Sequence, residues 1–293
     1  MSPHESPLIV VGAGPAGIGA AVEARRSGAD VVLVDSSGVA GGTIRIAHEV
    51  RNVPFLPDRS PGTLVADGLC AFAHRWQLDA IAHECLSVER DGDGVVVVAR
   101  DGARINGCGV VLATGARPLV PIVAGLPGVL EPPWACSAPD ACRAGSIASA
   151  AIVGASDVAF DQARWLRARG VVVTVLCRAA VPRAPAWLVA DACAEGVALR
   201  TATSVACGSV ARSRWVLRLD SGGAGDELEV DRIVAAAGRA PAWRGSIAIE
   251  PQAMNRVRVA GDAVGRRARH VVAALGDGCT AAAELLAARE RES

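Results

Sequence analysis

The segment PLIVVGAGPAGIGAAVEARRSGADVVLVD, residues 7–35, limits what this chain can fold into more than any other stretch. It predicts a short apolar strand, a tight glycine turn, a helix from Pro15 to Ser27 and a second strand that ends in Asp35. The pattern recurs as SAAIVGASDVAFDQARWLRARGVVVTVLCR, residues 149–178. Two such strand–helix–strand units predict an α/β fold with two Rossmann-like dinucleotide-binding domains in one chain.

The first glycine turn has the G-x-G-x-x-G pattern of dinucleotide-binding loops. Gly12 permits the turn, Gly14 lets a pyrophosphate approach the backbone, and Gly17 allows close helix packing. The helix N-terminus then faces the anion, and Asp35 stands where a carboxylate would bind a ribose hydroxyl. The alternative is an ordinary tight turn between a strand and a helix. The cofactor-binding residues predicted here are Gly12, Gly14, Pro15, Ala16, Gly17 and Asp35.

The overall composition favours small-molecule partners. The 293 residues carry 30 basic and 30 acidic side chains, so we expect no surface for nucleic acid or an anionic membrane. Nine cysteines are scattered without a Cys-x-x-Cys pair or a zinc-ligand spacing, which favours reduced thiols and no metal site. No segment has the pattern of a signal peptide and the apolar runs are short, so we expect a cytoplasmic protein.

Further motifs follow in an order typical of one flavoprotein family. They are GGTIRIAHEVRNVP (41–54), VVLATGARP (110–118), VAAAGRAPA (234–242), VAGDAV (259–264) and LGDGCTAAA (275–283). Together with GAGPAG they resemble the successive signatures of thioredoxin-reductase-like flavoproteins. This resemblance implies an FAD-binding domain formed by residues 1–118 and 241–293, with an NAD(P)-type domain, residues 119–240, inserted into it.

The resemblance also implies which residues contact the flavin. The flavin itself would be lined by Gly41, Gly42, Thr43 and Asn52. The adenine side would be supported by Thr114 and Gly115, and the ribitol and pyrophosphate by Gly261 and Asp262. A helix that starts near Gly278 would direct its positive end at the flavin pyrimidine, where negative charge develops on reduction.

The segment WACSAPDAC, residues 134–142, lies where thioredoxin-reducing members of the family carry a redox-active Cys-x-x-Cys. Counting back from Gly154 places Ser137 and Asp140 at the two cysteine positions, so we expect no catalytic dithiol. Cys136 and Cys142 flank these positions. A functional disulfide between them is the alternative, although it would need a different loop path against the flavin.

The second glycine turn departs from the usual pattern. It has Gly154, Ser156 and Ala159 where the family has G-x-G-x-x-A, so a side chain stands where a pyrophosphate would approach most closely. Downstream, Arg178 and Arg183 remain from the arginine motif of NADPH-binding relatives, and either could meet a 2′-phosphate. The alternative is that both arginines are solvated surface residues.

Two histidines are candidate catalytic residues. His48 follows Gly42, and His270 follows Arg269 where relatives have an Arg-Gln pair near the flavin. Either imidazole could donate to the isoalloxazine or act as acid or base on a substrate. The alternative for both is a structural histidine.

The sequence therefore predicts an FAD-dependent oxidoreductase that acts on a small molecule without a dithiol relay, with NAD(P)H as the electron donor. One alternative is an oxygen-using oxidase or dehydrogenase whose second nucleotide domain is vestigial. The other is a noncatalytic FAD-binding subunit of a larger complex. We expect a homodimer that binds neither nucleic acid nor membrane.

Overall fold

The computed structural model describes residues 6–143, 145–212, 214–221, 225–265 and 269–291. The helices are α1 (Pro15–Arg26), α2 (Gly62–Arg75), α3 (Ala138–Ala141), α4 (Asp157–Arg167), α5 (Ala186–Ala194) and α6 (Val271–Glu290). The first eight strands are β1 (Leu8–Val11), β2 (Val31–Asp35), β3 (Ala80–Ala82), β4 (Cys85–Asp91), β5 (Gly94–Ala99), β6 (Arg104–Gly107), β7 (Gly109–Leu112) and β8 (Ala116–Pro118).

The remaining strands lie in the second half of the chain. They are β9 (Trp134–Ala135), β10 (Ser149–Val153), β11 (Val172–Leu176), β12 (Ala198–Arg200), β13 (Ser204–Ala211), β14 (Arg214–Asp220), β15 (Asp226–Val230), β16 (Arg232–Ala235), β17 (Arg239–Pro241), β18 (Ala248–Ile249) and β19 (Val257–Val259). Short 3-10 helices span Gly42–Ile46, Pro251–Arg256 and Gly261–Val264.

The chain forms two compact units. The first comprises the chain up to Arg45, Val50–Ala116 and the chain from Ala240 onward. The second comprises Arg117–Arg239 together with Ile46–Glu49. Four residues of the segment that follows Gly42 thus pack with the second unit, and no local sequence pattern signals this.

The first unit contains a five-stranded parallel sheet in the order β19-β7-β1-β2-β3. All four residues of β1, LIVV, are buried, as expected for a central parallel strand with both faces covered. A second sheet has the order β18-β4-β5-β6, in which β4, β5 and β6 pair antiparallel. A core of Ile, Val and Leu side chains includes residues from both sheets.

Helices α1 and α6 of the first unit pack through glycines. A Cβ on Gly19 would lie 2.4 Å from the carbonyl oxygen of Leu275, and one on Gly278 would lie 1.9 Å from that of Ala16. Gly278 therefore lies inside α6, and the prediction that the helix starts near Gly278 is wrong. The helix begins seven positions earlier, at Val271, because its glycine serves helix packing and not a turn.

Helix α6 is also long and apolar enough to cross a membrane by length and composition alone, and 28% of its apolar window is buried. A core helix of a soluble protein meets the same criterion, so this helix is weak support for a membrane span. The packing of α6 on α1 accounts for part of its apolar character.

The second unit repeats the parallel architecture. Its five-stranded sheet has the order β12-β11-β10-β16-β9, with all neighbours parallel. A separate antiparallel sheet contains the three strands β13-β14-β15. Two parallel sheets, each with a helix after its central strand, confirm the predicted α/β class.

Candidate dinucleotide sites

The first glycine turn joins β1 to α1 and tolerates no larger residues. Gly12 has φ +107°, and a Cβ there would lie 2.3 Å from the carbonyl oxygen of Ala113. A Cβ on Gly17 would lie 1.7 Å from the carbonyl oxygen of Gly12. Gly14 is the N-cap of α1, whose first turn carries no acidic residue. The helix N-terminus therefore presents unopposed N–H donors to an anion.

The segment around Gly41 and Gly42 lies against this turn. The N–H of Gly41 donates to the carbonyl oxygen of Ala13 at 2.8 Å. A Cβ on Gly42 would lie only 2.8 Å from the Cα of Gly14, so the two backbones approach each other closely here. Thr43 follows in an exposed position on the 3-10 helix Gly42–Ile46.

The 3-10 helix Gly261–Val264 approaches the same turn. A Cβ on Gly261 would lie 2.7 Å from that of Ala16, which sits next to Pro15 in the first turn of α1. Asp262 follows and is half-buried. Two glycine-bearing segments of the first unit, far apart in sequence, thus converge on the glycine turn at the N-terminus of α1.

Asp35 is oriented by backbone and side-chain donors at the end of β2. Its Oδ2 accepts from the N–H of Ala13 at 2.8 Å. Its Oδ1 accepts from the N–H of Ser37 at 2.9 Å and from the Ser37 hydroxyl at 2.6 Å. The carboxylate is therefore fixed beside the glycine turn, where the sequence predicts ribose binding.

Thr114 and Gly115 follow β7 at the same edge of the sheet. The Thr114 Oγ1 is buried and has no hydrogen-bond partner among the described residues. The carbonyl oxygen of Gly115 accepts from the N–H of Ala242 at 3.0 Å. A buried hydroxyl without a partner costs free energy, and a ligand with a polar group would satisfy it.

A tryptophan that the sequence analysis missed fixes the 3-10 helix Gly261–Val264. The Nε1–H of Trp243 donates to the carbonyl oxygen of Ala263 at 2.9 Å. The general rule that a buried indole N–H finds a partner would have marked Trp243, although it does not name the acceptor.

The structure brings together two of the predicted site residues, Asn52 and His270. The Asn52 Nδ2 lies 2.8 Å from the His270 Nδ1. His270 is the N-cap of α6, its side chain makes no capping hydrogen bond, and both residues are exposed. Arg269 precedes it and is half-buried.

The other histidine candidate, His48, belongs to the second unit. Its backbone N–H donates to the Asp161 Oδ2 at 2.9 Å, and the N–H of Glu49 donates to the Asp161 Oδ1 at 3.0 Å. Burial raises the pKa of the Asp161 carboxyl, although these two backbone hydrogen bonds oppose the shift. Helix α4 thus holds the segment that carries His48 by its backbone.

An ion-pair network on α4 holds the same segment. The buried Arg164 guanidinium pairs with Glu49 at 2.9 Å and with Glu195 at 2.7 Å. The side chain of Arg164 is 4% exposed, that of Glu49 9% and that of Glu195 38%. The hydrogen bond with Glu195 is the main cause that raises the pKa of Arg164.

The second glycine turn, between β10 and α4, repeats the geometry of the first. Gly154 has φ +121°, and a Cβ there would lie 2.1 Å from the carbonyl oxygen of Ala236. Ser156 has φ −88° and ψ 176°, close to the −77° and −175° of Gly14. Serine therefore occupies this position without backbone strain. Its side chain caps nothing, and the exposed Asp157 follows as the first residue of α4.

Arg178 and Arg183 are exposed in the segment between β11 and α5. The N–H of Arg183 donates to the carbonyl oxygen of Ala155 at 2.9 Å, which anchors this segment at the second glycine turn. Neither guanidinium forms a hydrogen bond or ion pair with the part of the chain that the structure describes. Both are therefore available to an anionic ligand.

Ser137 and Asp140 cap helix α3. The Ser137 Oγ accepts from the N–H of Asp140 at 3.3 Å, and the Asp140 Oδ2 accepts from the N–H of Cys136 at 2.9 Å. This reciprocal arrangement resembles a capping box. Partial burial raises the pKa of both Cys136 and Cys142, and all nine cysteines are unpaired.

Comparison with known proteins relates the chain to several reductases and to one oxidase. It is 32% identical over 256 residues to a ferredoxin–NADP reductase from Salinispora tropica, which covers 80% of this chain and 74% of that protein. It is 29% identical over 175 residues to a thioredoxin reductase from Peptoclostridium acidaminophilum, covering 58% of this chain and about half, 54%, of that protein. It is 38% identical over 138 residues to one of the subunits of opine oxidase from Agrobacterium tumefaciens, covering 42% of this chain and 27% of that protein.

The fold has close counterparts among solved structures. Thioredoxin reductase from T. acidophilum superposes with a TM-score of 0.81 at 21% identity, covering 98% of this chain and 99% of that one. This likeness confirms the predicted two-domain Rossmann-type fold. The family model described as pyridine nucleotide-disulphide oxidoreductase matches residues 6–290. The parallel sheets, the converging glycine segments and this match together show that the chain belongs to the pyridine nucleotide-disulphide oxidoreductase family, as a thioredoxin-reductase-like member.

Proposed function

We propose that this FAD-dependent oxidoreductase transfers electrons from NAD(P)H to a small molecule without a dithiol relay. Members of its family use FAD and NAD(P)H as cofactors. The observation that carries the proposal is the convergence of two glycine-bearing segments on the glycine turn at the N-terminus of α1, near Thr114, whose buried hydroxyl has no hydrogen-bond partner among the described residues.

The residues of the first unit fit FAD. Gly42 and Gly14 approach each other without side chains, so only backbone borders the place where a pyrophosphate would lie. The first turn of α1 has no carboxylate to repel this group. Asp35 would bind the adenosine ribose and Thr114 would gain a partner for its buried hydroxyl. When bound, FAD would supply reversible hydride and electron transfer. The protein's own task is to orient the group and to place donors around it.

The capping of α3 supports the absence of a dithiol relay. Ser137 and Asp140, which the family resemblance places at the positions of the redox cysteines, accept hydrogen bonds from backbone donors at the helix start. The raised pKa of Cys136 and of Cys142 lowers the fraction of nucleophilic thiolate at neutral pH. These thiols are therefore poorly suited to fast disulfide exchange.

The second unit contains features that favour NADPH and one that opposes it. Arg178 and Arg183 lie in the segment that is anchored at Ala155, and their guanidinium groups have no partner among the residues that the structure describes, as 2′-phosphate recognition would require. Asp157, however, adds a negative charge at the helix end that would face the pyrophosphate. We propose a usable but weakened NADPH site.

A second candidate function is that of one component of an oxidase that acts on a small amino-acid derivative. The similarity to the opine oxidase protein and the carboxylate of Asp157 at the second turn favour it. In this case the second unit would hold no nicotinamide nucleotide, and the substrate itself would reduce the flavin. The homodimer and the cytoplasmic location expected from the sequence stay proposals in either case.

An anaerobic titration separates the two candidates. The flavin-loaded protein is titrated with NADPH and, in parallel, with NADH, and the flavin absorbance is followed. We expect NADPH to bleach the flavin at lower concentration than NADH. Bleaching by neither nucleotide, combined with oxygen consumption in a separate aerobic assay with a small amine or amino-acid derivative, would favour the oxidase candidate. The absence of any flavin after reconstitution with FAD would contradict both.

A further inference from the structure

The contact between Asn52 and His270 carries an inference beyond the proposed reaction. The two side chains are 218 positions apart in sequence, and their nitrogens lie 2.8 Å apart. The carbonyl oxygen of His270 accepts from the N–H of Ala274 at 2.9 Å, so the backbone beneath the imidazole is fixed by the first turn of α6. The imidazole ring is therefore attached to a fixed backbone and has one defined hydrogen-bond partner.

The chemistry of this contact determines the proton position on the ring. The Nδ2 group of asparagine can only donate, so the His270 Nδ1 must accept with its lone pair. A neutral imidazole carries one proton, which must then lie on Nε2. We propose that Asn52 is a positioning residue that holds His270 in the Nε2–H tautomer and thereby makes the far side of the ring a hydrogen-bond donor.

This assignment predicts what the His270 edge recognises. The Nδ1 of His270, the ring nitrogen that can accept, is occupied by Asn52, and the His270 side chain does not cap α6. The N-terminus of α6 next to the ring also presents N–H donors. The edge therefore offers donors only. It fits a ligand with a hydrogen-bond acceptor, such as a ring carbonyl oxygen, and disfavours one that presents an N–H group.

Nuclear magnetic resonance of the imidazole nitrogens tests the tautomer directly. The flavin-loaded protein is labelled with ¹⁵N and measured at increasing pH until the ring-nitrogen shifts no longer change, so that the neutral imidazole is observed. His83 is an internal reference for the opposite tautomer, because its Nδ1 lies 2.8 Å from the Asp101 Oδ2, which can only accept. We expect His270 to show a protonated Nε2 and a coupling across Nδ1 to the Asn52 amide, and His83 to show a protonated Nδ1.

Substitutions of Asn52 make the test decisive. Asn52→Asp replaces the donor by an acceptor, so the proton of His270 should move to Nδ1 while His83 is unchanged. A protonated Nδ1 in the wild type, or an unchanged His270 in Asn52→Asp, would overturn the proposal. The readout does not depend on which molecule donates electrons, so it can fail or succeed independently of the proposed NAD(P)H reaction.

A double-mutant cycle tests whether Asn52 acts through His270. Single-turnover flavin reduction is measured by dithionite, which needs no nucleotide site, in Asn52→Ala, His270→Ala and the double variant. We expect dithionite to reduce the flavin of each single variant roughly tenfold more slowly than that of the wild type. The flavin of the double variant should be reduced no more slowly than that of His270→Ala. Additive losses would show that Asn52 acts on its own and would overturn its positioning role.

Discussion

At the scale of single residues, we expect Asp157 to weaken the proposed second nucleotide site. It is exposed at the first position of α4, while the first turn of α1 has no acidic residue. We predict that Asp157→Asn binds NADPH roughly two- to fivefold more tightly, because a helix N-terminus and a neighbouring charge interact by about 0.3–1 kcal/mol. Fluorescence titration with NADPH measures the change, and Asp191→Asn on α5 is the control. Equal affinities of Asp157→Asn and the wild type would contradict the role of Asp157.

We expect the two arginines after β11, Arg178 and Arg183, to determine the choice between NADPH and NADH. A charge-assisted contact to phosphate contributes about 1.5–3 kcal/mol. We therefore predict that Arg178→Ala or Arg183→Ala lowers the ratio of NADPH to NADH efficiency by roughly tenfold or more. The ratio is measured from kcat/KM for both nucleotides. If both variants kept the wild-type ratio, the arginines would be solvated surface residues.

The sequence patterns predicted which residues form the first site better than they predicted the contacts between distant residues. The glycines at 12, 14 and 17 and the acid at 35 follow a local spacing, and the structure places them at one edge of the sheet. The pairing of Asn52 with His270 and the hydrogen bond from Trp243 to Ala263 link distant segments. No local period encodes such pairings, so the sequence could not specify them.

At the scale of elements, the loop that carries Gly42 depends on a close approach to the first turn. We predict that Gly42→Ala lowers FAD affinity by at least about tenfold, because its Cβ would lie 2.8 Å from the Gly14 Cα and its φ of +62° disfavours side chains by roughly 1–2 kcal/mol. Gly68→Ala on α2, where nothing lies within 4 Å, is the control and should keep wild-type affinity. Equal FAD dissociation constants for Gly42→Ala and the wild type would count against the flavin site.

Helix α4 makes the stability of the second unit depend on pH through Asp161. Burial raises the pKa of this carboxyl above its usual value of 3.8, so its stabilising contribution is present below that value and is lost as pH rises through the raised pKa. We predict that the free energy of unfolding of the wild type, relative to Asp161→Asn, falls as the pH rises from about 3.8 through the raised pKa of Asp161. Urea unfolding measures both proteins, with Asp157→Asn as the exposed control on the same helix. A difference independent of pH would contradict the effect of burial.

The start of α6 shows where element prediction fails for a physical reason. Glycines at 276 and 278 suggest a turn, yet both lie inside the helix. The absence of a Cβ at 278 is required by the backbone of α1, which belongs to a segment more than 250 residues earlier in the chain. Tertiary packing thus overrides the local preference of glycine. By contrast, α1 ends at Arg26 with Ser27 as its C-cap, close to the sequence-based prediction.

At the scale of the whole molecule, the two units share the same parallel architecture but differ in the glycine turn that follows the central strand. The turn of the first unit keeps its three glycines, while that of the second has Ser156 and Asp157 at the start of its helix. The sequence predicted two nucleotide-binding units from their repeated pattern. It did not reveal that residues 46–49 pack with the second unit, because that assignment depends on Asp161 and Arg164.

The number of electrons that the purified protein accepts per flavin tests the central claim most directly. FAD accepts two electrons and a redox-active disulfide accepts two more, so an enzyme with a dithiol relay takes up four. An anaerobic titration with dithionite, followed by flavin absorbance and by thiol counting, measures this uptake. The account predicts two electrons per FAD and no change in the thiol count. Uptake of four electrons that falls to two in Cys136→Ser or Cys142→Ser would contradict it.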